Sequence, residues 1–123
     1  MKEIIAIIRP RKVGPTRNAL ESIGFPSMTA TGVRGRGKQC GIAGEVLVDG
    51  SPEILLQKNA GGMKYVPKRL LNIVVPDNYV DRVVQKIIEI NQTSQIGDGR
   101  IFVCPVEDAI RVRTREQGES AVL

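Results

Sequence analysis

A strand–helix–strand pattern occurs twice in this sequence, once on each side of a long glycine-rich segment, and it constrains the fold more than any other feature. In the first pattern, residues 2–10 form an apolar run that ends at a proline. Residues 13–23 then carry apolar side chains at helical spacing, and Gly24 is a stop signal for that helix. Residues 27–35 contain β-branched side chains in loose alternation, which predicts a second strand.

The second pattern begins with residues 67–77, an apolar strand ended by Pro76. An amphipathic helix is predicted over residues 80–88, and residues 101–106 are predicted to form the fourth strand. Two such patterns in succession predict a ferredoxin-like α+β fold, in which a four-stranded antiparallel sheet carries two helices on one face.

The length of 123 residues predicts a single domain over residues 1–123. Residues 36–66 show no regular period and are punctuated by glycines, and so long a connection within a compact domain is typical of a functional loop. Residues 109–113 predict a short fifth strand, and residues 114–123 predict a polar and irregular tail.

The first and third predicted strands are apolar on both of their faces, as the consecutive pairs Ile4–Ile5 and Ile7–Ile8 show. A sheet that is covered by helices on one face and by water on the other should instead alternate apolar with polar residues. The second face is therefore expected to pack against another subunit, which predicts an oligomer.

The composition argues against several kinds of site. The chain contains no histidine, and its two cysteines, Cys40 and Cys104, lie far apart, which argues against a zinc site, a disulfide framework and histidine-based acid–base chemistry. The net charge of +5 favours an anionic partner such as a nucleic acid, a nucleotide or a metabolite, although a basic solvated surface would give the same total. Free thiols and the lack of a signal peptide or a long apolar run predict a soluble cytoplasmic protein.

Three clusters of glycines and cations lie at the ends of predicted elements: residues 35–41, residues 97–100, and Arg111 with Arg113. A Gly-Asp-Gly turn can direct several main-chain N–H groups at one anion, and two arginines that alternate on a strand point to the same side. Each cluster also has a common structural explanation, namely a hairpin turn, a solvated strand face or a solvent-facing loop. Together they predict a site for a polyanion.

The whole chain resembles the PII nitrogen-regulatory signal-transduction proteins. The segments that carry the resemblance are IIAIIRP, GRGKQCG, VPKRLLNIVVPD and QIGDGRIFVCPVEDAIRVRT. The resemblance implies a ferredoxin-like homotrimer with a long T-loop, here about residues 36–66, between its second and third strands. It also implies a regulatory binding protein, not an enzyme, that binds ATP or ADP with Mg²⁺ in the clefts between subunits and senses 2-oxoglutarate.

The resemblance also implies which residues bind these effectors. It assigns the nucleotide to Ile7, Thr29, Gly35, Gly37, Lys38, Gln39, Val74, Gly97, Gly99, Arg100, Arg111 and Arg113. It assigns 2-oxoglutarate to Gln39, Gly41 and Lys68. Gln39 is also expected to hold Mg²⁺ through ATP and 2-oxoglutarate.

The chain departs from the family pattern in its loop and at two glycine positions. Its T-loop is longer than is typical and has no tyrosine near its tip, which puts modification by uridylylation in doubt. Ser94 and Arg115 stand where the family usually has glycine. These features resemble the branch encoded among nitrogen-fixation genes, whose members inhibit nitrogenase by binding dinitrogenase, often with a PII paralogue, until 2-oxoglutarate and ATP relieve the inhibition.

Other functions are compatible with parts of this sequence. A PII protein can instead control an ammonium channel or glutamine synthetase. An acylphosphatase-like enzyme shares the fold class, but no glycine-rich cradle follows Arg9 and Arg11. An RNA-recognition module needs stacking aromatic residues on its central strands, and only Phe102 lies near such a position. The sequence therefore favours a regulatory protein without direct contact to nucleic acid or insertion into a membrane.

Overall fold

The computed structural model describes residues 1–36 and 65–123. Within these ranges the chain forms four strands and two helices in the predicted order. They are β1 Lys2–Ile8, α1 Val13–Ser22, β2 Thr29–Gly35, β3 Val66–Val75, α2 Val80–Asn91 and β4 Arg100–Pro105. Short 3₁₀ turns precede both helices, and a third, Gly118–Ala121, lies in the tail.

The strands form one antiparallel sheet in the order β2-β3-β1-β4. Strand β1 lies in the centre, where Ile4 is opposite Ile73 of β3 on one side and Val103 of β4 on the other. Each helix connects two strands that are not neighbours in the sheet, since α1 joins β1 to β2 and α2 joins β3 to β4. This is the ferredoxin-like arrangement. The fold class predicted from the sequence is confirmed.

The hydrophobic core lies between the sheet and the two helices. Alternate residues of β1 and β3 face the helices and are almost completely buried, as Ile4 and Val75 show. The helices contribute Leu20 from α1 and both Val83 and Ile87 from α2. The spacing of Val83 and Ile87 places both on one helical face, so the stripe seen in the sequence is the buried face of the helix.

The first helix ends where the sequence predicts. Gly24 adopts φ 94°, and its N–H donates to the carbonyl oxygen of Glu21 at 3.0 Å. The N–H of Phe25 donates to Leu20 at 2.9 Å. A residue in the left-handed region closes the last turn in this way, and glycine adopts that conformation without a steric penalty.

The predicted fifth strand is wrong. Residues 109–113 contain a single bridge, between Ile110 and Gln117, and the chain turns back on itself immediately after Arg111. The N–H of Arg115 donates to the carbonyl oxygen of Arg111 at 2.7 Å, and the N–H of Arg111 donates to Glu116 at 2.9 Å. The segment pairs with its own continuation because the turn supplies a local partner, and it does not extend the sheet. The tail is also more regular than expected, since it contains the turn Gly118–Ala121.

The second face of the sheet carries a patch of apolar side chains, as the sequence predicts for β1 and β3. Ile5 and Ile7 of β1 are only partly buried, and Phe102, which lies opposite Ile5 on β4, is 44% exposed. Leu70 and Val74 continue this face on β3. Neither helix in the described part of the chain is long and apolar enough to cross a bilayer.

Candidate functional site

Nine of the predicted binding residues lie in two separate clefts of the protomer. The first, called the loop cleft, has a volume of about 530 Å³ and lies beside the turn between α2 and β4. The predicted residues that line it are Ile7, Gly35, Lys68, Gly97, Gly99 and Arg100. Arg36, Val66, Ile96 and Phe102 complete its walls. Four separate segments of the chain thus bring six of the fourteen predicted residues together.

The glycines of the Gly97-Asp98-Gly99 turn meet a strict geometric requirement. Gly97 has φ 101° and Gly99 has φ 121°, a region that residues with side chains rarely adopt. A β-carbon at Gly99 would lie 2.1 Å from the carbonyl oxygen of Ile7. Because the turn is pressed against the main chain of β1, glycine is required at position 99 for close approach as well as for its φ angle.

The side chain of Asp98 stabilises this turn through hydrogen bonds and an ion pair. Its carboxylate accepts hydrogen bonds from the guanidinium of Arg9 at 2.7 Å and from the main-chain N–H groups of Thr93 at 2.7 Å and Ser94 at 2.8 Å. The hydroxyl of Thr93 also donates to it. Partial burial opposes ionisation of Asp98, but the hydrogen bonds from Thr93 and Arg9 outweigh that effect and hold the pKa of the carboxyl well below its usual range.

Arg9 connects the turn to the end of β1. Its side chain is 6% exposed, and besides the ion pair with Asp98 it donates to the carbonyl oxygen of Ile96 at 3.1 Å. This contact is not predictable from local sequence patterns, because Arg9 and Asp98 are 89 positions apart. The only signal in the sequence is a cation directly after a buried strand, and such a residue is ordinarily solvated.

Lys68, predicted to bind 2-oxoglutarate, is 8% exposed and donates from Nζ to the carbonyl oxygen of Gly97 at 2.8 Å. This contact joins β3 to the glycine turn across the loop cleft. A buried ammonium group so placed can pair with an anion that enters the cleft, because such a ligand offers it a stronger acceptor than a carbonyl oxygen.

Ser94 and Arg115, which the resemblance places at positions where glycine is usual, are also the two described non-glycine residues with positive φ, at 66° and 62°. The left-handed conformation costs a residue with a side chain about 1–2 kcal/mol relative to the right-handed one. Glycine at these positions is thus explained by the backbone, and the substitution places a small strain in each of the two turns.

The second cleft, called the tail cleft, has a volume of about 620 Å³ and lies between the start of β2, the end of β3 and the C-terminal segment. It brings together the predicted residues Thr29, Val74 and Arg111. Val74 is opposite Glu3 on β1, whereas Ile7 of the loop cleft is four residues further along that strand. Four residues of a strand span about 13 Å, so the two clefts occupy different ends of the sheet.

Arg111 is engaged by the tail that follows it. Its Nη1 donates to the carboxylate of Glu116 at 3.0 Å, and its Nη2 donates to the main-chain oxygens of Ser120 and Leu123, both at 3.0 Å. Arg113 is exposed. The two arginines were predicted to point to one side of a strand over residues 109–113, and the structure has no strand there. Four further predicted residues, Gly37, Lys38, Gln39 and Gly41, lie outside the described residues.

Comparison with known proteins gives a consistent result along the whole chain. The family described as "Nitrogen regulatory protein P-II" matches residues 1–116. A "Nitrogen fixation nifHD region GlnB-like protein 2" of Methanobacterium ivanovii is 54% identical over 123 residues, which is 100% of both chains. Its counterpart from the nifHD1 region of Methanosarcina barkeri is 52% identical over 99% of both chains.

A structural relative shares the fold. The crystal structure of Arabidopsis thaliana PII bound to citrate superimposes with a TM-score of 0.74 and 36% sequence identity, over 98% of this chain and 88% of the plant chain.

Proposed function

The chain belongs to the nitrogen regulatory protein P-II family, and on this premise we propose that it senses ATP or ADP together with 2-oxoglutarate and regulates nitrogen metabolism through its T-loop. The observation that carries the proposal is the loop cleft, where Gly97, Gly99 and Arg100 of one turn meet Lys68 of β3, which comes 29 positions before Gly97 in the sequence. Glycine main-chain N–H groups beside the cations Lys68 and Arg100 are suited to the phosphates of a nucleotide.

The protein acts, in this proposal, as a trimer in which the loop cleft of one subunit meets the tail cleft of the next. Neither cleft contains the full set of predicted residues, because Thr29, Val74 and Arg111 line one and Ile7 with the glycine turn lines the other. The apolar second face of the sheet, which includes the exposed Phe102, is suited to an interface between subunits. A nucleotide bound between the clefts would contact both groups at once.

Lys68 connects the nucleotide to the second effector. In the proposed mechanism, Gln39 holds Mg²⁺ together with ATP and 2-oxoglutarate, Gly41 contributes to the same site, and Lys68 pairs with a carboxylate of 2-oxoglutarate. The contact between Lys68 and Gly97 supports this assignment, because the ammonium group lies beside the Gly97-Asp98-Gly99 turn that is proposed to bind the phosphates. The effectors shift the T-loop away from the conformation that binds the target, so they must bind the non-inhibitory state more tightly.

We propose dinitrogenase as the target and a regulatory role without catalysis. The support is the nifHD-region naming of relatives that are 52–54% identical over nearly the whole chain. In this proposal the protein inhibits nitrogenase in the cytoplasm, alone or with a PII paralogue, and 2-oxoglutarate relieves the inhibition.

Calorimetric titration tests the sensing step. Mg-ATP is expected to bind the wild type and to bind Arg100→Ala at least tenfold more weakly, since loss of a charge-assisted contact to phosphate costs about 1.5–3 kcal/mol. Arg82→Ala removes the same charge from the exposed face of α2 and serves as the matched control. 2-Oxoglutarate should bind only when Mg-ATP is present, and Gln39→Ala should abolish its binding while ATP still binds. Equal 2-oxoglutarate affinity with and without Mg-ATP contradicts the mechanism.

A pull-down with dinitrogenase tests the target. The protein should retain dinitrogenase in the absence of effectors and release it when Mg-ATP and 2-oxoglutarate are added together. Retention of dinitrogenase that does not depend on the effectors contradicts the proposed switch. Retention of an ammonium channel or glutamine synthetase, but not of dinitrogenase, under the same conditions would assign a different target.

A further inference from the structure

The tail of the chain, residues 116–123, occupies the guanidinium of Arg111, which lies in the tail cleft. The carboxylate of Glu116 accepts from Nη1, and the main-chain oxygens of Ser120 and Leu123 both accept from Nη2, at 3.0 Å in each case. Ala121 and Val122 line the same cleft as Thr29 and Val74. The tail therefore contacts the cation that the proposed nucleotide site requires and forms part of the wall of the cleft around it.

The geometry of a guanidinium makes this occupancy exclusive. An arginine offers two edges from which a pair of parallel N–H groups can reach one phosphate, Nε with Nη2 and Nη1 with Nη2. Both edges use a hydrogen of Nη2, and two main-chain oxygens of the tail accept from that nitrogen. A phosphate that binds Arg111 with two hydrogen bonds through either edge therefore competes with the tail for Nη2.

Glu116 adds an electrostatic cost to that displacement. Its carboxylate neutralises Arg111 locally, and a phosphate that arrives beside it meets a like charge. The chain reaches this position through a closed turn, because Arg111 and Glu116 are bridged by a main-chain hydrogen bond of 2.9 Å and Gly118 donates to Ala109 at 2.9 Å. The contact is thus built by the fold of the tail and is not a chance meeting of two long side chains.

We propose that residues 116–123 are a built-in competitor of the nucleotide phosphates for Arg111, and that Glu116 sets the affinity of the site. This inference rests on the proposed function, since it concerns the same nucleotide. The tail lowers the affinity of the unliganded protein and leaves Arg111 when the nucleotide binds.

The first test compares two carboxylates of the tail. Glu116→Gln removes the charge beside Arg111, whereas Glu119→Gln removes the same charge three residues later, from a side chain that is not among the partners of Arg111 in the described part of the chain. Calorimetry with Mg-ATP should give a dissociation constant about two- to fivefold lower for Glu116→Gln than for wild type, the range expected for a partly exposed ion pair, and an unchanged constant for Glu119→Gln. Tripolyphosphate, which has no nucleoside, should show the same difference.

The second test follows the tail directly by hydrogen–deuterium exchange. Mg-ATP should slow exchange in residues 97–100 and accelerate it in residues 116–123, because the tail loses its contacts with Arg111. Unchanged or slower exchange in residues 116–123 overturns the competition. It is also overturned if Glu116→Gln and Glu119→Gln bind Mg-ATP more tightly than wild type by the same factor, because that result indicates a general charge effect. If the wild type binds Mg-ATP and Glu116→Gln binds it no more tightly, the competition is overturned but the proposed function is not. No binding of Mg-ATP by any of the three proteins overturns the proposed function, and the competition with it.

Discussion

Substitution of Asp98 by asparagine should destabilise the protein, because Asp98 is the common partner of the glycine turn and of β1. Asparagine keeps the size of the side chain and one acceptor oxygen, but it removes the charge that faces Arg9 at 2.7 Å. The side chain of Arg9 is 6% exposed and that of Asp98 is 23% exposed, so the pair is shielded from solvent. The loss of one partner of a fully buried pair costs about 3–5 kcal/mol.

The expected cost here is below that range, about 2–3 kcal/mol, for two reasons. Asp98 is partly solvated, and Arg9 keeps its hydrogen bond to the carbonyl oxygen of Ile96. Urea unfolding at one fixed protein concentration measures the difference, since assembly would make the midpoint depend on concentration. Glu107→Gln, which removes the same charge from an exposed residue, is the matched control and should change the free energy of unfolding by less than about 0.5 kcal/mol.

The pH dependence of this difference follows from the lowered pKa of Asp98. A carboxyl whose pKa is lower in the folded state binds protons more readily when the chain is unfolded, so it stabilises the folded state at neutral pH. That contribution is lost as the pH falls below about 4, the ordinary value for aspartate, towards the folded pKa. The difference in free energy of unfolding between wild type and Asp98→Asn should therefore be largest at pH 7 and should become smaller below pH 4. The reasoning is refuted if this difference is no larger than that for Glu107→Gln, or if it does not change with pH.

Three further substitutions test particular contacts by urea unfolding. Gly99→Ala should lower the free energy of unfolding by at least about 2 kcal/mol, because Gly99 has a positive φ and contacts β1. Gly14→Ala in α1 is the control: a β-carbon there meets nothing within 4 Å, so it should be neutral or stabilising by up to about 1 kcal/mol. Arg115→Gly should stabilise by up to about 1 kcal/mol, since glycine relieves the strain at φ 62° but loses more entropy on folding; a clear loss of stability would mean that the turn is not strained. Thr16→Val should cost about 1–3 kcal/mol, because it removes the hydroxyl that accepts from the buried amide of Asn91 at 2.9 Å, and a neutral result would rule out that contact as a support of the two helices.

Much of the fold follows from local patterns. The stripe of Val83 and Ile87 predicts α2, the left-handed preference of Gly24 predicts the end of α1, and the run around Ile4 predicts the central strand. Each of these signals depends on residues within one or two turns of one another. Local sequence is sufficient in such cases because the physical cause, a periodic apolar face or a permitted φ angle, is itself local.

The site was harder to predict where it depends on distant partners. The strand expected over residues 109–113 fails because the chain after Arg111 supplies its own hydrogen-bond partners. The role of Arg9 was missed because its acceptor, Asp98, comes from the far end of the sequence. By contrast, Ser94 and Arg115 stood out in the sequence as replacements of glycine, and both lie at positive φ.

The order of strands and helices and the apolar residues on both faces of the central strands follow from the amino-acid sequence alone, because they depend on composition and short-range spacing. How the predicted site residues are grouped depends on the tertiary fold. It places Lys68 and the glycine turn in one cleft and Thr29 with Val74 in another, and it turns the tail onto Arg111. The physical reason is that strand register and chain reversal set distances between residues that are far apart in the sequence, and short-range patterns contain no information about those distances.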